Sequence, residues 1–82
     1  MSKDEPIASG GHGRTIKVYE NRVEIRYNIW KTVTIPIRRI DQVEISRLTN
    51  QLIIKVEKDE HKVSMGTHGA AEKVRDAILA RM

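Results

Sequence analysis

Strict alternation of apolar and polar residues constrains the fold of this chain more than any other feature. Ile16 and Val18 begin the alternation, and Val23 and Ile25 continue it after a break. A two-residue turn at residues 20–21 would pair Val18 with Val23. The same register pairs Ile16 with Ile25, so the four apolar side chains share one face. The pattern therefore predicts a half-buried antiparallel β-hairpin.

A third strand is predicted after a short loop. Its alternating apolar residues are Val33, Ile35 and Ile37. Pro36 falls on the outer face, and because proline cannot donate a hydrogen bond to a neighbouring strand, it indicates a sheet edge or the end of pairing. The expected register places Ile35 near Ile25. It also places Ile37 near Val23.

The chain then turns a corner at residues 38–41 and is expected to form a second sheet. We expect Ile40 to plug the opening between the two sheets. A turn at residues 49–50 would pair Ile45 with Ile54. The second half of the chain therefore repeats the design of the first half.

A further turn at residues 59–60 is expected to pair Val56 with Val63. Outward-facing Glu57 then lies opposite Lys62, which is a favourable cross-strand pair. Agreement between apolar and charged pairing supports this assignment. The predicted strands cover residues 14–19, 22–28, 32–37, 42–48, 51–58 and 61–66.

The apolar period changes from 2 to about 3.6 residues after Gly66, as in an amphipathic helix. The residues at helical spacing are Ala71, Val74, Ile78 and Met82. They predict a helix over residues 69–81 that covers the open end of the strand sandwich. Gly69, or alternatively Thr67, would cap its start.

Composition indicates one small domain without disulfide bonds or a membrane-spanning segment. Residues 1–13 contain Pro6 and three glycines without an apolar period, which predicts a flexible tail before a single domain over residues 14–82. Cysteine is absent, and no apolar run reaches the length of a membrane span or signal peptide. A cytoplasmic location is therefore the default expectation.

Positive charge is concentrated in the first half of the chain. Residues 14–39 carry seven Lys or Arg and two Glu, a net charge of +5. Such a bias can attract anions, although a small protein can also carry it without any partner. A candidate anion-binding face on the first three strands consists of Lys17, Arg22, Arg26, Arg38 and Arg39.

Catalytic and metal-binding motifs are not visible in the sequence. The histidines are His12, His61 and His68, and none belongs to a His-x-x-x-His pair or has an obvious nucleophile partner. Residues 59–61 (Asp-Glu-His) resemble a metal cluster, but adjacent residues of a tight turn point in different directions. We therefore expect no catalysis, no metal and no cofactor.

Candidate partner contacts lie in two places. Ile29, Trp30 and Lys31 form the loop before the third strand, where a tryptophan can anchor a partner or enter a membrane interface. The alternative is that Trp30 folds back over the open end of the sandwich, which we slightly favour because the chain has few aromatic residues. Ile53 is expected on an outer strand face opposite Ser46, where it could contact a partner.

Residues 18–25, 35–43 and 52–56, followed by the final helix, resemble the pleckstrin-homology (PH) superfold, and more closely the small bacterial PH-like and GRAM-type domains. Ile-Pro-Ile with an isoleucine three residues on is the most specific piece. The resemblance covers residues 14–82 and implies a mainly β fold. It would be an antiparallel six- to seven-stranded sandwich or barrel with one C-terminal amphipathic helix.

The resemblance implies a non-catalytic module. Lipid-binding PH domains often carry Lys, a spacer, then Lys/Arg-x-Arg on the first hairpin, and here Lys17 and Arg26 fit the ends while Glu24 occupies the middle basic position. A carboxylate there would repel phosphate and pair with Lys17, so specific phosphoinositide binding is not expected. The preferred expectation is a protein-interaction or scaffolding module that self-associates. The alternative is a peripheral binder of acidic membrane lipid or nucleic acid.

Overall fold

Two antiparallel sheets and one C-terminal helix form the fold in the computed structural model, which describes residues 5–82. The first sheet has strand order β1-β2-β3-β4, and its strands are Ala8–Gly10, Thr15–Val18, Arg22–Asn28 and Lys31–Pro36. A single 3-10 turn, Ile37–Arg39, leads to the second sheet. Its strands, in the order β5-β6-β7, are Gln42–Ser46, Gln51–Val56 and Asp59–Ser64. Helix α1 spans His68–Leu79.

The mainly β class is thereby confirmed, with four strands in one sheet and three in the other. The two sheets do not close into one barrel. Buried residues of both sheets share one hydrophobic core, and backbone hydrogen bonds add to it, such as the bond that the N–H of His12 donates to the carbonyl of Ser64 at 2.7 Å. Ile40 is buried beside the 3-10 turn, as its predicted role between the sheets requires.

The first predicted hairpin is confirmed in its register. Val18 pairs with Val23 and Lys17 with Glu24. Ile16 pairs with Ile25, and both side chains are fully buried. The backbone N–H of Tyr19 donates to the carbonyl of Arg22, so the turn between the strands is only two residues long. A turn this short allows few strand registers.

Strand β1 lies within the segment that the sequence assigns to a tail. Ala8 pairs with Val18 and Gly10 with Ile16, so residues 8–10 extend the sheet beyond the predicted domain boundary. The sequence did not predict this strand because three residues with small side chains show no apolar alternation. Backbone hydrogen bonds to β2 hold the strand in place. Residues 1–4 of the predicted tail lie outside the described part of the chain.

The predicted pairing of β3 with β4 is wrong by two residues. Val23 pairs with Ile35, and Ile25 pairs with Val33. The turn is tighter than expected because Asn28 already pairs with Lys31, and an irregularity after Arg26 absorbs one residue. Ile37 leaves the strand and is buried in the 3-10 turn.

The second sheet shows the same kind of correction. Val43 pairs with Ile54 and Ile45 with Leu52, around a longer loop that ends at Asn50 with a φ of 52°. Strands β6 and β7 turn at residues 57–58 rather than 59–60, with Glu57 at a φ of 55°. Leu52 consequently faces Val63. Shifts of two or four residues keep every side chain on its predicted face, so the apolar pattern cannot detect them.

Helix α1 begins one residue earlier than predicted and ends two residues earlier. Thr67 is the cap, since its Oγ1 accepts a hydrogen bond from the backbone N–H of Ala70 at 3.1 Å. The predicted stripe is confirmed for three buried residues, Ala71, Val74 and Ile78. Met82 does not join it and is 52% exposed. The helix packs against β1 and β5, so it contacts both sheets.

Candidate functional site

The turn between β3 and β4 carries the most exposed aromatic side chain of the described residues. Trp30 is 88% exposed and Ile29 is 72% exposed. The backbone N–H of Trp30 donates to Oδ1 of Asn28 at 2.7 Å, a local hydrogen bond that stabilises the turn. Trp30 therefore does not fold back over the sandwich, and the expectation that it does so is wrong. We call Ile29 and Trp30 the tip.

A group of contacts around Tyr27 supports the base of the tip. Two cations lie over the ring of Tyr27, with Cζ of Arg14 at 4.4 Å and Nζ of Lys31 at 5.1 Å from its centroid. Its hydroxyl forms a hydrogen bond with Nδ1 of His61 at 2.6 Å. Arg14 also donates to the carbonyl of Lys62 at 2.8 Å. Residues from both sheets thus meet directly below the tip.

The outer face of the first sheet continues from the tip as a polar, basic surface. A shallow depression of about 240 Å³ brings Ile29 together with Arg26 and Lys17. The strand register places Arg26 between Thr15 and Thr32. Glu24 also lines the depression, so the face combines one carboxylate with hydroxyl and cationic groups that can donate hydrogen bonds to an anionic group.

Charge pairing on this face differs from the expectation. The carboxylate of Glu24 lies 3.2 Å from Nε of Arg22, and this pair replaces the expected pair with Lys17. Lys17, Arg26 and Lys31 make no ion pair with other residues of the described range 5–82. The basic surface next to the tip therefore keeps its positive charge.

The five residues of the predicted anion-binding face do not form one surface. Lys17 and Arg26 lie together near the tip. Arg22 stacks on Tyr19, with Cζ 4.1 Å from the ring centroid, and lies with Arg38 at the opposite end of β3. Arg39 forms an ion pair with Glu57 at 2.9 Å.

The second predicted contact, Ile53, lies on the other sheet. It pairs with Glu44 and Lys62 rather than with Ser46, and its side chain is half-buried. The structure therefore places Ile53 apart from Ile29, Trp30 and Lys31, which stay together at the β3–β4 turn.

The sequence did not indicate Arg14 and His61 as neighbours of this surface. They are separated by 46 intervening residues, and no local pattern connects them. Within residues 5–82, no group of three or more His, Cys, Asp or Glu is arranged to hold a metal ion. The same range contains no helix that is long and apolar enough to cross a bilayer.

No protein-family model matches this chain, and neither a curated protein nor a solved structure gives a significant match. The function must therefore be inferred from the geometry of the surface itself.

Proposed function

We propose that this chain is a non-catalytic binding module of PH-like fold that attaches to anionic phospholipid surfaces through its tip. Seven strands followed by one helix support the PH-like assignment. The observation that carries the proposal is the exposure of Trp30 beside basic residues that lack ion pairs. Tryptophan favours the membrane–water interface, and flanking Lys and Arg side chains reach anionic headgroups.

Rough energies favour the combined use of the tip and the basic surface. Each cation near an anionic membrane contributes about 1 kcal/mol. The basic residues that surround the tip are Arg14, Lys17, Arg26 and Lys31, so together they supply about 4 kcal/mol, enough only for millimolar affinity. Burial of Ile29 and Trp30 adds about 3–6 kcal/mol. Micromolar membrane affinity therefore requires both parts.

The test uses the single tryptophan of the chain as its own reporter. Trp30 emission should shift to shorter wavelength with vesicles that contain phosphatidylserine, and much less with vesicles of phosphatidylcholine alone. The double variant Lys17→Gln/Arg26→Gln should weaken binding about tenfold or more. Arg47→Gln removes one exposed charge from the loop between β5 and β6 and serves as the control.

Two results would contradict the proposal. One is an unchanged Trp30 emission with anionic vesicles, and the other is equal binding by the double variant and the control. Binding of a single-stranded oligonucleotide that falls steeply with salt, without any binding to vesicles, would favour the nucleic-acid alternative instead.

Self-association is a second candidate, supported by the open edge of β4. This strand pairs with β3 on one side and with no strand of the described chain on the other. An unpaired edge can accept a strand from a second copy. Light scattering after size-exclusion chromatography, at low and moderate salt, should then show a defined oligomer. Its loss in Trp30→Ala would place the tip in that interface, whereas a monomer in every condition would exclude this candidate.

A further inference from the structure

A second basic cavity lies at the end of β3 that is remote from the tip. Its volume is about 560 Å³, and three arginines line it, namely Arg22, Arg38 and Arg81. Strand β3 separates it from the tip by about 20 Å, given its seven residues. We call this cavity the arginine cleft. It is built from the β2–β3 turn, the end of β4 and the residues that follow helix α1.

The arginine cleft carries excess positive charge. Glu20 is the only acidic residue in its lining, but Arg22 is also paired with Glu24 at 3.2 Å, so the three arginines and these two carboxylates carry a net charge of +1. Glu20 is itself largely in solvent, and its carboxylate lies 3.9 Å from the guanidinium of Arg81. Arg38 has no ion-pair partner anywhere in the range 5–82. The charge of Arg38 is therefore available to a ligand.

Arg81 contains a donor that the protein leaves unused. Its guanidinium donates from one terminal nitrogen to the carbonyl of Ala77 at 3.1 Å, which anchors the side chain over the last turn of the helix. Its Nε is buried and has no hydrogen-bond partner among the described residues. A buried donor without an acceptor costs about 1–3 kcal/mol, so a small movement of Arg81 that brings this N–H to an acceptor in the cleft would be favourable.

The other side of the cleft is apolar. Pro36, Ile37 and Met82 contribute to it, and its volume falls within the range of small-molecule sites. A ligand that fits therefore combines an oxyanion, which the guanidinium groups bind, with a compact apolar part. A phosphate monoester presents three acceptor oxygens to these guanidinium groups, one more than a carboxylate does.

We propose that the arginine cleft binds a small phosphate monoester with an apolar substituent. Arg38 and Arg81 contact the phosphate oxygens, and a small movement of the Arg81 side chain brings its unused N–H to one of these oxygens. Thr34 lies in the same lining and supplies a hydroxyl donor. The site is independent of the proposed membrane attachment, since it shares no lining residue with the tip or with the depression that holds Lys17 and Arg26.

Phenyl phosphate is a suitable probe. Its binding can be measured by titration, with two-dimensional NMR spectra of the backbone amides and of the arginine Nε–H groups. We expect saturable shifts at Asn21, Arg38 and Arg81, with inorganic phosphate and benzoate binding several-fold more weakly. Arg38→Gln should weaken phenyl phosphate about tenfold, the loss of one charge-assisted bond. Arg47→Gln, which alters an exposed arginine outside the cleft, should bind like the parent protein.

Arg81→Gln provides a second variant, and its amide spectrum establishes whether it is folded. Chemical-shift changes that stay linear with phenyl phosphate concentration, or that occur mainly at Lys17 and Arg26, would overturn the proposal. Equal affinity of Arg38→Gln and Arg47→Gln for phenyl phosphate would also overturn it. Equal binding of benzoate would overturn the assignment to phosphate. The Trp30→Ala variant should bind phenyl phosphate normally, so failure of membrane attachment and failure of this site are distinguishable.

Discussion

The hydroxyl of Tyr27 and Nδ1 of His61 lie 2.6 Å apart and join the end of β3 to strand β7. The two rings meet edge to face, with centroids 6.3 Å apart. This contact connects the two sheets at the base of the tip, where Arg14 makes a second connection through the carbonyl of Lys62. The position of the exposed Trp30 therefore depends on tertiary contacts below it.

Removal of the Tyr27 hydroxyl should destabilise the protein modestly. Tyr27→Phe loses one half-buried hydrogen bond, and we expect the free energy of unfolding in urea to fall by about 0.5–1.5 kcal/mol. Tyr19→Phe is a matched control, because no hydrogen bond from the hydroxyl of Tyr19 occurs in residues 5–82. Equal stability of the two variants would mean that the bond to His61 contributes nothing.

Two isoleucines of the first sheet should separate stability from binding. Ile25→Ala empties a fully buried site and should lower the unfolding free energy by about 2–5 kcal/mol. Ile29→Ala alters an exposed side chain, so it should change that free energy by less than about 0.5 kcal/mol. The same variant should nevertheless weaken attachment to anionic vesicles. If Ile29→Ala lowered the unfolding free energy as much as Ile25→Ala does, the tip would be part of the core.

The close packing of Gly10 predicts a different response at two glycines. A Cβ at position 10 would lie 2.7 Å from Cε of Met65, the far end of a flexible side chain that can move aside, so Gly10→Ala should cost at most about 1 kcal/mol. Gly69 lies in the first turn of α1, and a methyl group added there would meet nothing within 4 Å. Gly69→Ala should therefore stabilise the protein by about 0.5–1 kcal/mol. Thermal unfolding of both variants measures the difference.

Thr67 should contribute measurably as the cap of α1. Thr67→Ala removes the acceptor for the N–H of Ala70 and should lower the unfolding free energy by about 1 kcal/mol. Thr67→Ser keeps the hydroxyl and should recover most of this loss. Thr49→Ala, in the exposed loop between β5 and β6, tests the effect of threonine truncation alone. A loss of equal size at position 49 would argue against a specific capping role.

Alternation in the sequence determined which face of each strand is buried. It correctly assigned Ile16 and Ile25 to the core, and the change of period after Gly66 located the helix and its stripe. These features depend on local geometry, since side chains alternate in a strand and repeat every 3.6 residues in a helix. Residue order alone is sufficient to specify them.

Tertiary structure decided the strand registers and the composition of the sites. The pairs Val23–Ile35 and Val43–Ile54 differ from the predicted pairs by two residues, a shift that leaves every apolar side chain on the same face. Turn geometry selects the register, and it does so only when the strands on either side of the turn pack together in the folded protein. The same closure brings Tyr27 to His61, leaves Trp30 in solvent and gathers the three arginines of the cleft, because long-range proximity has no local signature in sequence.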